Sequence, residues 1–135
     1  MAKAHQGKHL EITCENITDR AASLFETLRD ADVNVHATCM MAPPNEDVKF
    51  WLVVDNFDKA RGALQKQGYK VKTKSVVLVA MPHRVGAYAE VLRTVASAGV
   101  DVYMSYSSTA VKKAVLVVML TSSDLKAIKV INQEI

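Results

Sequence analysis

The residues of this chain that could do chemistry gather in the stretch MPHRVGAYAEVLRTVASAGVDVY, from Met81 to Tyr103. Gly86 stands at the mouth of an amphipathic segment, and Asp101 lies on the strand-like run that follows it. Neither has the partner that bond-breaking needs. The sequence offers no activated nucleophile, no paired carboxylates and no phosphate-binding loop, so no catalytic residue and no enzyme activity is expected. The segment reads as built to hold something rather than to react with it.

The other reactive types are scattered. His5 and His9 have helical i,i+4 spacing but sit in an N-terminal tail, residues 1–8 and just beyond, with no carboxylate partner nearby. With His36 isolated and His83 alone in its loop, no metal site and no cofactor is expected. His83 reads either as solvent-facing or as a side chain that touches a ligand. Cys14 and Cys39 form no CxxC pair and are expected to be buried small apolar residues. Met40, Met41, Met81 and Met104 fall at buried-type strand positions and read as core or interface filling. Arg20 and Arg84 lie beside loops where either could help hold a carboxylate.

These residues are positioned by elements that hydropathy periodicity marks out. Leu10, Ile12 and Cys14 alternate with His9, Glu11 and Thr13, as in a strand. Ala21, Leu24, Phe25, Leu28 and Ala31 then follow helical spacing behind the cap candidates Asn16, Thr18 and Asp19. Strands are predicted from Val33 to Met41, Val48 to Val54 and Tyr69 to Ser75, with APPNED breaking the first pair and a short helix ending at Gly68 before the last. The order β-α-β-β-α-β then restarts. Val76 to Met81 is a strand, Val85 to Val95 marks a helix stopping near Gly99, and Val100 to Ser107 and Ala114 to Thr121 are strands. SSDLKAIKVINQ closes as a capped helix.

The halves superpose with one offset. Ala31 and Ala98, Val33 and Val100, and Val35 and Val102 are each 67 residues apart. The expected fold is α+β: two tandem ferredoxin-like units, residues 9–75 and 76–135, with antiparallel sheets and helices on one face. The second unit reaches Ile135 before its last strand. That leaves Val76 to Met81 with an open apolar edge, so a covering element from the other half or from a second chain is expected.

Order and motif together resemble tandem ACT-domain proteins, small regulatory units that bind amino acids. The family's loop and helix, roughly E-N-x-P-G-x-L-x-x-V-x-x-x-L followed by G-I-N-I, is met in the first half by Glu15, Asn16, Thr18, Asp19, Arg20, Leu24 and Leu28. Ala31, Asp32, Val33, Asn34 and Val35 follow in that half. The second half meets it with Pro82, Gly86, Ala87, Val91 and Val95, then Gly99, Val100, Asp101 and Val102. The likeness spans about residues 9 to 133.

The resemblance implies a stand-alone sensor that binds a free amino acid between paired ACT domains. The implied site is lined by His83, Arg84, Val85, Gly86, Ala87, Asp101 and Tyr103, or by Asn16, Thr18, Asp19, Arg20 and Asn34. A carboxylate would meet bare amides at a helix start, and Asp101 or Asn34 would receive the ammonium. Asp19 replaces the family's glycine and would repel a carboxylate while capping the helix itself, so the Gly86 loop is expected to bind more tightly. Val85 replaces the family's proline. The implied partners are the amino acid, further copies as a homodimer or larger homo-oligomer, and a regulated enzyme acting in trans.

Composition agrees with a globular chain of this kind: half of its 135 residues are hydrophobic and 23% are charged. The opening MAKAHQGKHL lacks an apolar signal core, and the longest apolar runs are too short for a membrane helix, so a cytoplasmic setting and no membrane partner are expected. A net charge of +3 is mild, and Lys70, Lys72, Lys74, Lys112 and Lys113 read as solvated surface. The competing reading is a nucleic-acid-binding module on the same element order. It needs aromatics on the central strands, where only Phe50 and Trp51 occur, neighbours on opposite faces.

Overall fold

The computed structural model describes residues 2–108 and 114–134; Lys112 and Lys113 lie outside them. It contains β1 (Lys3–Cys14), α1 (Arg20–Asp30), β2 (Val35–Met41), β3 (Val48–Val54), α2 (Phe57–Lys66) and β4 (Lys70–Pro82). These are followed by α3 (Ala87–Ser97), β5 (Val102–Ser107), β6 (Ala114–Thr121) and α4 (Asp124–Glu134). No helix among the described residues is long and apolar enough to cross a membrane.

The chain divides into two compact units, His9–Lys74 and Met1–Lys8 with Ser75–Ile135. In the first, the strand order is β2-β3-β1-β4. β1 and β2 both run antiparallel to β3, with Ile12 opposite Phe50 and Met40 opposite Phe50 on the other side. Side chains alternate across each strand, so Leu10, Ile12, Phe50 and Leu52 share the face covered by α1 and α2. There they pack with Leu24, Leu28, Ala60 and Leu64, all essentially buried. Phe25 meets Phe50 edge-to-face at 5.9 Å between centroids. Each large apolar side chain enclosed in this way contributes about 1.5–3 kcal/mol. α2 starts where the sequence offers an amide cap: the Asn56 side chain accepts the Lys59 amide at 3.1 Å.

In the second unit the order is β1-β4-β6-β5, and β6 runs antiparallel to both β4 and β5. α3 and α4 cover Val77, Val79, Met81, Val115, Val117 and Met119 through Val91, Val95, Ala127 and Ile131. The strand beside β4 in this unit comes from the N-terminal residues of the chain. Residues expected as a tail, 3–8, are the opening half of β1, and they take the edge beside β4. The open edge foreseen for Val76 to Met81 is therefore covered by the N-terminal residues themselves.

Three local features fix that strand. Ala2 and Ala4 are buried in the unit's core. Gly7 lies so close to Leu78 that an added Cβ would fall 2.8 Å from its Cγ, so a side chain there forces a shift. Asn132 on α4 holds the Ala4 peptide at both ends: the Ala4 amide donates to Asn132 Oδ1 at 2.8 Å, and Asn132 Nδ2 donates to the Ala4 carbonyl at 2.9 Å.

The 67-residue offset reappears in backbone bonding. Val33 donates to the Leu28 carbonyl as Val100 does to that of Val95. Asn34 and Asp55 clasp each other, with the Asp55 amide on the Asn34 carbonyl and the Asn34 amide on Asp55 Oδ1. Asp101 and Ser122 make the same clasp through Ser122 Oγ. Replacing Asn132 with leucine removes two hydrogen bonds and strands both polar groups of the Ala4 peptide, which is expected to cost about 1–3 kcal/mol in thermal unfolding. A wild-type melting curve for Asn132→Leu would contradict this role.

Candidate functional site

The loop between β4 and α3 is shaped by one backbone torsion. Gly86, the N-cap of α3, has φ 85°, a left-handed conformation that residues with a Cβ adopt only under strain. The turn is closed by the Ala87 amide on the Arg84 carbonyl at 3.2 Å. The next amides, Tyr88 and Ala89, have no carbonyl one turn back to receive them, and the helix dipole adds positive potential where they point. Gly86 contributes no side chain to cap them.

The predicted loop residues divide by role. Ala87 turns into the core at 3% exposure, whereas Val85 is 99% exposed at the loop tip. Arg84 reaches forward to the first turn of α3, with Nη2 2.7 Å from Glu90 Oε2. This hydrogen bond holds the Glu90 carboxyl below its ordinary pKa. Arg84 is thus already engaged by a carboxylate of its own chain.

Beside this helix mouth lies a pocket of about 480 Å³. Met81, Val115 and Val117 give it an apolar floor, and His83, Tyr88 and the β5 residues 105–108 form its walls. Tyr88 donates to Ser105 Oγ at 2.6 Å, tying α3 to β5 across the pocket. His83 was legible as a side chain that could touch a ligand. Tyr88 was read only as a helix marker, and the floor only as strand core. Tyr103 does not join them and is 66% exposed.

Asp101 does not reach this loop within its unit. Pro82 pairs with Ala114 and Ser107 with Val117, but Val102 pairs with Thr121 at the far end of β6. The seven steps from Ala114 to Thr121, at about 3.3 Å each, separate the two positions by roughly 20–25 Å. The other half repeats the arrangement: Asn34 is clasped to Asp55 at the end of β2 remote from the loop 15–19. In that loop Asn16 Nδ2 donates to the Pro43 carbonyl at 3.1 Å, and Thr18 is exposed. Asp19 is the N-cap of α1 with φ −100°, yet its side chain makes no capping bond, contrary to the expectation that it caps the helix.

Arg20 begins α1 and lines an open cleft of about 620 Å³ that also takes in Glu11, Cys14, Asp47 and the start of β4. Burial pushes the Cys14 thiol pKa up, with nearby Arg20 opposing. Both cysteines, expected to be buried, are only half-buried. Among the described residues no group of three or more His, Cys, Asp or Glu is placed to hold a metal ion. Phe50 is fully buried under the helices, so it is not available for base stacking.

This arrangement of elements recurs in solved structures. It is an ACT-like α+β fold, similar to the regulatory subunit of aspartate kinase from Thermus thermophilus (15% identity over 96% of this chain and 95% of that one, TM-score 0.69). It is similar also to the regulatory subunit from Thermus flavus (18% identity, 97% and 95% covered, TM-score 0.61). A nearer likeness, with 30% identity over 97% of this chain and 90% of the other and a TM-score of 0.87, is to protein BT0572 from Bacteroides thetaiotaomicron. The chain belongs to the family of that protein. No protein-family model matches the sequence, and no curated protein does.

One titratable group outside the pocket gives a further check on the structure. His9 is fully enclosed in β1, not on a frayed tail. Burial lowers its pKa from 6.5, with Glu11 opposing and Lys74 assisting. Because the folded value lies below the unfolded one, the unfolded chain takes up the proton first as pH falls. The stabilisation is therefore complete above about pH 6.5 and is lost as pH falls below that value. Melting temperature is expected to drop between pH 7.5 and 5.5, and to drop less in His9→Gln. An equal drop in both proteins would contradict the assignment.

Proposed function

We propose that this chain is a non-catalytic regulatory protein that binds a free amino acid at the mouth of α3. The carboxylate of the ligand meets the Tyr88 and Ala89 amides, which Gly86 leaves unobstructed, and its side chain enters the pocket floored by Met81, Val115 and Val117. The observation that carries this reading is that juxtaposition: an uncapped helix start with a glycine N-cap at φ 85°, directly beside an apolar pocket with a few hydroxyls on its wall. That His83 lines the pocket supports a contact between its ring and the ligand.

An ammonium group needs an acceptor, and Asp101 and Asn34 lie too far along their strands to serve the loop of their own unit. We infer that a second copy of the chain completes the site, placing one of these residues at the other copy's loop. Binding would then favour one assembly over another, and a ligand acts on an equilibrium only through such a difference. The likeness to regulatory subunits of aspartate kinase supports a regulatory role exerted on an enzyme in trans. The loop around Asp19 binds less well, because its carboxylate lies where the ligand's acid group would go.

A thermal-shift screen against the free amino acids tests this reading. At about 100 times its dissociation constant a ligand adds roughly 2.7 kcal/mol of stability, several degrees for a chain of this size. At least one amino acid is expected to give that shift, and Gly86→Asp is expected to abolish it. A flat response to all of them, or a full response in Gly86→Asp, would overturn the proposal.

A further inference from the structure

Arg20, which the sequence offered as a residue that could help hold a carboxylate, lines a cleft separate from the α3 pocket, and there it holds a demanding unpaired group among the described residues. Arg20 Nε is buried and meets no acceptor among the described residues, and the guanidinium forms no ion pair with any of them. A buried cationic donor without an oxygen to receive it is costly, and native chains keep one only where something satisfies it. Two more cations face the same space. Lys70 and Lys72 alternate on β4, so they share a face, and both line the cleft. Neither is in an ion pair among the described residues, whereas Lys74, next along the same row, is 3.1 Å from Glu11 Oε2.

We propose that this cleft, between the end of β1, the start of α1 and the turn from α2 into β4, binds a small oxyanion on Arg20, Lys70 and Lys72. The Arg20 fork receives the oxygens and the two lysines supply the balance of charge. Three carboxylates also line the cleft, Glu11, which Lys74 pairs, and Glu15 and Asp47; they limit the negative charge it accepts, so a singly charged carboxylate fits better than a doubly charged phosphate. Cys14 at the wall takes no reactive part, because its thiol pKa is raised and it stays protonated at neutral pH. The cleft lies in unit His9–Lys74, so this proposal does not rest on amino-acid binding at α3.

The test is a titration of the ¹⁵N-labelled full chain with sodium acetate and, separately, with inorganic phosphate, at constant ionic strength with chloride as control. The Arg20 Nε–H resonance and the Gly68 and Lys70 amides are expected to move along one saturating curve with acetate. Arg20→Gln and the double variant Lys70→Gln/Lys72→Gln are each expected to weaken binding by about tenfold or more. Saturation by phosphate alone would keep an oxyanion site and assign it to phosphoryl ligands. Saturation by neither anion, or amide shifts unchanged in both variants, would overturn it.

Discussion

A strand with a bare edge leaves a row of amides and carbonyls without partners, and the second half of β4 is such a strand until residues 3–8 lie beside it. The rest of that unit depends on this pairing. β4 sits between β1 and β6, and its last residue, Pro82, delivers the chain to the loop that ends at Gly86. The N-terminal strand meets the close approach with small residues. Ala2 and Ala4 pack into the core, Gly7 admits Leu78, and the Asn132 amide satisfies the Ala4 peptide. Bulk at any of these positions would push the strand off the edge it protects.

The two loops that follow the central strands β1 and β4 differ in electrostatics. At Gly86 the backbone is left-handed, the first helical turn is uncapped, and the nearby arginine is engaged by Glu90. At Asp19 the backbone is ordinary, a carboxylate stands at the helix start without capping it, and Arg20 has no partner among the described residues. The first arrangement leaves amides to receive an acid group beside an apolar pocket. The second leaves a guanidinium to do so inside a polar cleft. The two helix starts thus differ in the groups they leave unengaged, backbone amides in one unit and a guanidinium Nε in the other.

Most elements were legible because their apolar positions keep period 2 or 3.6 over whole segments, and because caps and glycines mark their ends. The first half of β1 was not. Its inward positions are Ala2 and Ala4, too small to raise an apolar signal, and Gly7 with its polar neighbours reads as a tail. The need for a partner at the edge of Val76 to Met81 could be inferred from the repeat, but not that residues 3–8 supply it. Within the candidate site, Gly86 and His83 were legible from the loop they share, whereas the sequence does not show that Asp101 lies at the opposite end of its own unit. The eleven residues of α3, at about 1.5 Å each, carry the chain back along the full length of a strand before Asp101 appears. Closeness in sequence after a helix is separation in space. Arg20 was legible beside its loop, but Lys70 and Lys72 in the same cleft were not, because alternating charge on a strand looks the same whether it faces solvent or a partly buried arginine.

The most direct test of this account is amide hydrogen exchange on the full chain and on a chain lacking residues 1–8. If residues 3–8 are the edge partner of β4, the shortened chain will lose protection at Val77 to Met81 and through α3, α4 and β6. The strands and helices of His9–Lys74 will keep theirs. Equal protection of Val77 to Met81 in the two chains would show that the edge is held by something else, and the structural basis for the α3 site would fall with it.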